Sequence, residues 1–96
     1  MIPKKVSVLG QEYSVLIVKD LSSDGLTEPY DFRIKLNESL LEHPQALIKV
    51  LWHEIGHAYC FESGLHEILK AQAAEQFCQT FSGLVVQLTG GLIDDR

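Results

Sequence analysis

Cysteine is scarce in this chain of 96 residues: there are two, Cys60 and Cys78. Two cannot make the disulfide framework of a small secreted domain, so free thiols are expected. Positive charge is thin as well, eight Lys and Arg against thirteen Asp and Glu, for a net charge of −5. The basic residues Lys4, Lys5, Lys19, Arg33, Lys35, Lys49, Lys70 and Arg96 are scattered and build no stripe. This argues against nucleic acid or an anionic membrane as the main partner. No apolar run approaches the length of a membrane span, and Met1–Lys5 followed by the alternating Val6-Ser7-Val8-Leu9 is not a signal peptide. A cytoplasmic setting follows. With no repeat, linker or low-complexity tract, residues 1–96 are expected to form one domain, with a loose tail over about 90–96.

What is present reads as strands first and helices after. Val6 and Val8, then Gly10-Gln11, then Tyr13, Val15 and Ile17 predict a β-hairpin whose second arm is the more buried. Residues 20–30 carry Ser22-Ser23-Asp24-Gly25 and Pro29, a loop composition. Phe32, Ile34 and Leu36 alternate with Arg33 and Lys35, which predicts a half-exposed strand over Asp31–Leu36, placed at an edge of the sheet. Residues 37–43 read as a connector. Pro44 suits a first helical position and Gly64 a helix end, so one helix is expected over Pro44–Glu62, with Leu47, Ile48, Leu51, Ile55, Ala58 and Tyr59 as its core stripe. A second is expected over His66–Thr89, with an apolar arc wide enough to need more than one neighbour.

The first helix carries His53-Glu54-Ile55-Gly56-His57. Histidines four apart project from one helical face, one turn above the other, and can reach a single zinc ion at about 2.0–2.1 Å each. Glu54, about 100° around the helix, can reach a water on that ion without binding it, as the general base of the HExxH arrangement does. The two histidines lie off the core stripe, beside Ala46, Val50 and Cys60. A third ligand must come from Glu62, His66, Glu67, Glu75, Asp94 or Asp95. Glu62 is too near in sequence, the aspartates sit in the tail, and His66 and Glu67 would need a long reach. Glu75 sits mid-helix on a face with Ile68, Ala71, Cys78 and Ser82, where a carboxylate is costly unless bound or paired. Gly56, unfavourable in a helix by about 1 kcal/mol, either admits a close neighbour or is merely tolerated.

The stretch Leu51-Trp52-His53-Glu54-Ile55-Gly56-His57-Ala58-Tyr59, with Glu75 downstream, resembles the thermolysin-like gluzincins, and more closely the minigluzincins and short phage-type zinc metallopeptidase domains. The resemblance implies an α+β zincin-like domain: a three-stranded, mostly antiparallel sheet against two long helices. It implies one Zn²⁺ held by His53, His57 and Glu75, Glu54 as the catalytic base, and a peptide or protein substrate. In thermolysin-like enzymes an aspartate four residues after the ligand glutamate hydrogen-bonds the first histidine; Gln79 stands there in this chain, able to accept from the imidazole N–H but adding no charge. Tyr30, Tyr59 and His66 are the candidates for stabilising the oxyanion, Tyr59 being placed rather in the core. An extended substrate would pair with the Asp31–Leu36 edge. The rival reading is a non-catalytic zinc module, structural or regulatory, working through a protein partner. Oligomeric state is not legible.

Antiparallel helices meeting at a metal would set residue 55 level with 75, Val50 near Cys78 and Cys60 near Ala71. Cys60 and Cys78 would then flank the site on opposite sides, roughly 12 Å apart along the axis, too far for a disulfide.

Overall fold

The computed structural model describes residues 2–89, a small α+β fold with a four-stranded mixed sheet and three α-helices. The tail expected over about 90–96 lies outside the described residues. Strands β1 (Lys5–Val8) and β2 (Gln11–Val18) form the expected hairpin. Its turn, Leu9-Gly10, has φ of 50° and 84°, the doubly positive geometry that suits the twist of a two-residue hairpin. A second hairpin pairs β3 (Gly25–Glu28) with β4 (Arg33–Asn37). The two hairpins join through a parallel β2–β4 ladder, giving the order β1-β2-β4-β3.

Three expectations about the sheet are corrected here. It has four strands, not three, because Gly25-Leu26-Thr27-Glu28 is a strand and not loop. Four residues are too few to show a period behind a Ser-Ser-Asp run, and cross-strand pairing with β4 supplies what the local sequence does not. The sheet is also mixed rather than mostly antiparallel. Finally, β4 is interior, and the edges are β1 and β3. The charges that suggested an edge hold β3 instead: Arg33 Nε and Lys35 Nζ lie 3.0 Å and 3.2 Å from Glu28 Oε1. Lys35 above all keeps the Glu28 carboxyl below its usual range. Phe32 is not the first inward residue of that strand. It closes the preceding turn at φ 52°, with its ring edge-on to Tyr13 at 5.8 Å.

Helix α1 spans Pro44–Ser63 and stops at Gly64, whose φ of 81° takes the left-handed cap that glycine tolerates. The expected second helix is two: α2 (Leu65–Ile68), then extended backbone at Leu69, then α3 (Ala71–Thr89). No glycine or proline marks that break. The chain must reverse so that α3 lies back along α1, and the reversal overrides local propensity. The supposed connector is a 3₁₀ helix over Glu38–Glu42, capped by Asn37 Oδ1 accepting from the Ser39 N–H. The Asn37 side chain also donates to the carbonyls of Leu21 and Ser23, tying down the loop before β3.

The core lies between the sheet and α1. Tyr13, Val15, Ile34 and Leu36 face Leu47, Leu51 and Ala58, with Ile55 packed against them. Tyr59, read as core, is 38% exposed. Helix α3 packs mainly on α1 among the described residues, and Leu84 and Leu88 stay exposed. Small residues make the α1–α3 seam: a Cβ at Gly56 would meet Cys78 Sγ and Phe81 Cδ2, each at 3.3 Å. Gly56 is therefore a close-approach residue.

Contacts run antiparallel along the seam, with the Trp52 ring beside Phe81, Gly56 against Cys78 and Phe81, and Cys60 on Cys78. The sense is as expected, but the register is more than a turn away. Cys78 meets Gly56 and Cys60, not Val50. The register had assumed ligand residues at one level, whereas the Gly56–Cys78 contact sets it and the long Glu75 side chain spans the offset. Both thiols are free, as expected, but they lie beside one another instead of standing apart.

Burial pushes the Cys78 thiol up to about 12, and Cys60 moves upward for the same reason. The Tyr13 hydroxyl, buried and donating to Glu62 Oε2 at 2.7 Å, is also raised. In each case the folded state keeps a proton that the unfolded chain releases. Their stabilisation is whole below the ordinary thiol value of 9.0 and declines as pH climbs from there towards about 12. Urea midpoints should therefore fall between about pH 8 and about pH 10, and less so in Cys78→Ala. Native thiols should alkylate far more slowly than in denaturant; equal rates would contradict the buried pair.

Candidate metal centre

The seam brings His53 and His57 on α1 to Glu75 on α3. His53 Nε2 lies 2.7 Å from Glu75 Oε1, and His57 Nε2 lies 3.1 Å from Glu75 Oε2. One ligand atom from each residue falls within 4.8 Å of the others. Tetrahedral zinc with bonds of 2.0–2.1 Å sets its ligand atoms about 3.3 Å apart, a spacing within the bound the three residues already meet. Two imidazoles and a carboxylate are a borderline donor set that fits zinc and other divalent first-row ions. Glu75 is 61% exposed on its side chain, so the cluster is approachable from solvent. The third ligand was sought on a covered face; its neighbours Cys78 and Ser82 are buried there while its carboxylate reaches outward.

Glu54 is 7% exposed, beside the cluster but not a member of it. Its carboxylate is placed by β3. Thr27 Oγ1 lies 2.7 Å from Glu54 Oε1 and 3.0 Å from the Glu54 backbone oxygen, so one hydroxyl proton is offered to both. In the β3–β4 register Gly25 pairs with Leu36 and Thr27 with Ile34, which turns both residues towards α1. A Cβ at Gly25 would come within 2.9 Å of Glu54 Cγ and Oε2 and 2.8 Å of Val50 Cγ1. Gly25 and Thr27 were missed as site residues. The only signal was a glycine and a β-branched residue two apart, which many loops contain.

Gly25→Ala should displace the Glu54 carboxylate without touching a metal ligand. If Glu54 serves as a base beside a zinc ion held by this cluster, hydrolysis should fall about 10²-fold while zinc affinity stays within about twofold of wild type. Unchanged turnover would show that the fit of β3 against Glu54 is not needed.

The other expected residues divide. Gln79 is exposed and lines the His53 side of the site, but its amide has no hydrogen-bond partner among the described residues. Tyr30 and His66 line the cleft on the His57 side, whereas Tyr59 lines neither side. Glu62 is engaged by Tyr13, and Glu67 stands outside the cluster. Asp94 and Asp95 lie outside the described residues. The cleft has two lobes, of about 570 Å³ and about 370 Å³, which share Ser23, Gly25, His53, Glu54 and Glu75. No helix among the described residues is long and apolar enough to cross a membrane. Comparison with protein-family models, curated proteins and solved structures gives no match.

Proposed function

We propose that this protein is a zinc-dependent peptidase of the gluzincin kind, with a zincin-like fold reduced to a four-stranded sheet and its helices. The observation that carries the proposal is the pairing of a convergent His53–His57–Glu75 cluster with a buried carboxylate, Glu54, that is not part of it. A purely structural metal site gives no reason to bury an extra carboxylate beside the ligands. A base for water does.

Zinc bound by His53, His57 and Glu75 would supply Lewis-acid polarisation of the scissile carbonyl and acidify a water. Glu54 takes the proton as the water oxygen attacks the carbonyl carbon. It then delivers that proton to the amine nitrogen as the C–N bond breaks. Thr27 fixes which carboxylate oxygen is engaged and leaves the other free to work. An extended peptide would add to the open edge of β3, which borders Glu54, in place of the Asp31–Leu36 edge expected from sequence. Tyr30 and His66, both in the cleft, are the remaining candidates for the oxyanion. A cytoplasmic setting, where Cys60 and Cys78 stay reduced, belongs to the same proposal.

The test is a broad peptide library incubated with the zinc-loaded protein and read by mass spectrometry. Cleavage should be abolished by chelation and restored by zinc. A zinc-saturated protein that cleaves nothing would favour the rival, a non-catalytic zinc module.

A further inference from the structure

Helix α3 is nearly free of charge. Over Ala71–Thr89 its one acidic or basic residue is Glu75, whose carboxylate belongs to the metal cluster. At the chain's 22% charged fraction, a helix of 19 residues would hold about four. Its exposed polar residues Gln72, Gln76, Thr80 and Gln87 are neutral. Beside them runs an apolar stripe, Phe77, Phe81, Leu84 and Leu88, at the four-three-four spacing that packs one helix along another. The two rings stack at 5.9 Å, and Phe81 meets Trp52 of α1 edge-on at 6.3 Å, which fixes the stripe beside the seam. Leu84 and Leu88 are 51% and 74% exposed.

Charge and symmetry together name the occupant of this stripe. A net charge of −5 makes two copies of the chain repel each other over most of their surface. A face with neither acidic nor basic residues is where they can meet without burying an unpaired charge. The stripe is also complementary to itself. Turned antiparallel about a two-fold axis at the level of Ser82 and Gly83, it sets Phe77 opposite Leu88 and Phe81 opposite Leu84 of a second copy. Every level then pairs an aromatic ring with an aliphatic side chain. The cleft stays open, because Gln79 on its wall lies about 140° around α3 from Leu84.

We infer that this protein forms a two-fold symmetric dimer, with α3 of one copy packed antiparallel on α3 of the other along Phe77, Phe81, Leu84 and Leu88. Trp52 lies at the margin of that interface.

Sedimentation equilibrium of the full chain, from micromolar to millimolar concentration, tests this. The mass should rise from 10.8 kDa towards twice that value, and added salt should tighten association by screening the repulsion. Leu88→Glu, at an exposed position, should keep the circular dichroism of the wild type. It should weaken dimerisation by about 50-fold or more, since the new charge would be buried against Phe77. Ile68→Glu, at a position 77% exposed and off the stripe, should change dimerisation by less than about twofold. Mixing Leu88→Glu with Leu88→Lys should not restore a dimer, because the two positions stand at opposite ends of an antiparallel pair. Restoration would mean parallel packing and overturn the register. A chain that stays monomeric at every concentration would leave the stripe to another partner and overturn the inference, as would a Leu88→Glu dimer as tight as the wild type.

Discussion

Glu54→Gln should leave zinc binding within about twofold of wild type and slow peptide hydrolysis by about 10²- to 10⁴-fold. The substitution keeps the shape of the side chain and removes its basicity. Among the described residues Glu54 belongs to no ligand cluster, and its Oε1 is already engaged by Thr27 Oγ1 at 2.7 Å. A glutamine oxygen can still accept from Thr27, so the packing of β3 on α1 should survive. Isothermal titration with zinc and peptide turnover on one preparation would read both quantities. Loss of zinc together with activity would mean that Glu54 is a ligand, and the assignment of roles on α1 would fail.

Glu75→Ala should have the larger effect on the metal. Outer partners of ligand residues control about 10–100-fold in affinity. Removing one of three ligands should exceed that, leaving two imidazoles with no carboxylate. Because Glu75 is largely exposed, the metal-free fold should hardly notice the change. Its consequence appears on adding zinc: at a concentration of about 1,000 Kd, binding to the folded state alone adds about 4 kcal/mol. For a domain near 100 residues that raises Tm by on the order of 15 °C or more. Wild type should show the rise and Glu75→Ala almost none. An equal rise in both would remove Glu75 from the site.

The convergence of His53, His57 and Glu75 was the most legible part of the chain because helical spacing is a local property. Two histidines four apart must share a face, and Glu75 could be reached by asking which carboxylate sits among Cys78 and Ser82 on a covered helix. The α1 boundaries were legible for the same reason, since Pro44 and Gly64 act within a turn of themselves. What was hidden depends on partners distant in sequence. β3 is four residues long and is held by Glu28 against Arg33 and Lys35, so nothing within it announces a strand. Its concealment also hid Gly25 and Thr27, the residues that position Glu54. The break at Leu69 has no local breaker either; it follows from the return of α3 onto α1. The thiol contact was misjudged because the register was argued from the ligands, whereas Gly56 and Cys78 set it through their lack of bulk.

The central claim is that His53, His57 and Glu75 hold one metal ion with a coordination position left for water. X-ray absorption at the zinc edge of the purified, zinc-loaded protein tests it most directly, alongside elemental analysis. The account predicts one zinc per chain, two imidazole nitrogens and oxygen ligands all at about 2.0–2.1 Å, and one fewer protein oxygen in Glu75→Ala. A sulfur shell at about 2.3 Å would place Cys60 or Cys78 on the metal. Failure to retain any stoichiometric zinc would contradict the account outright.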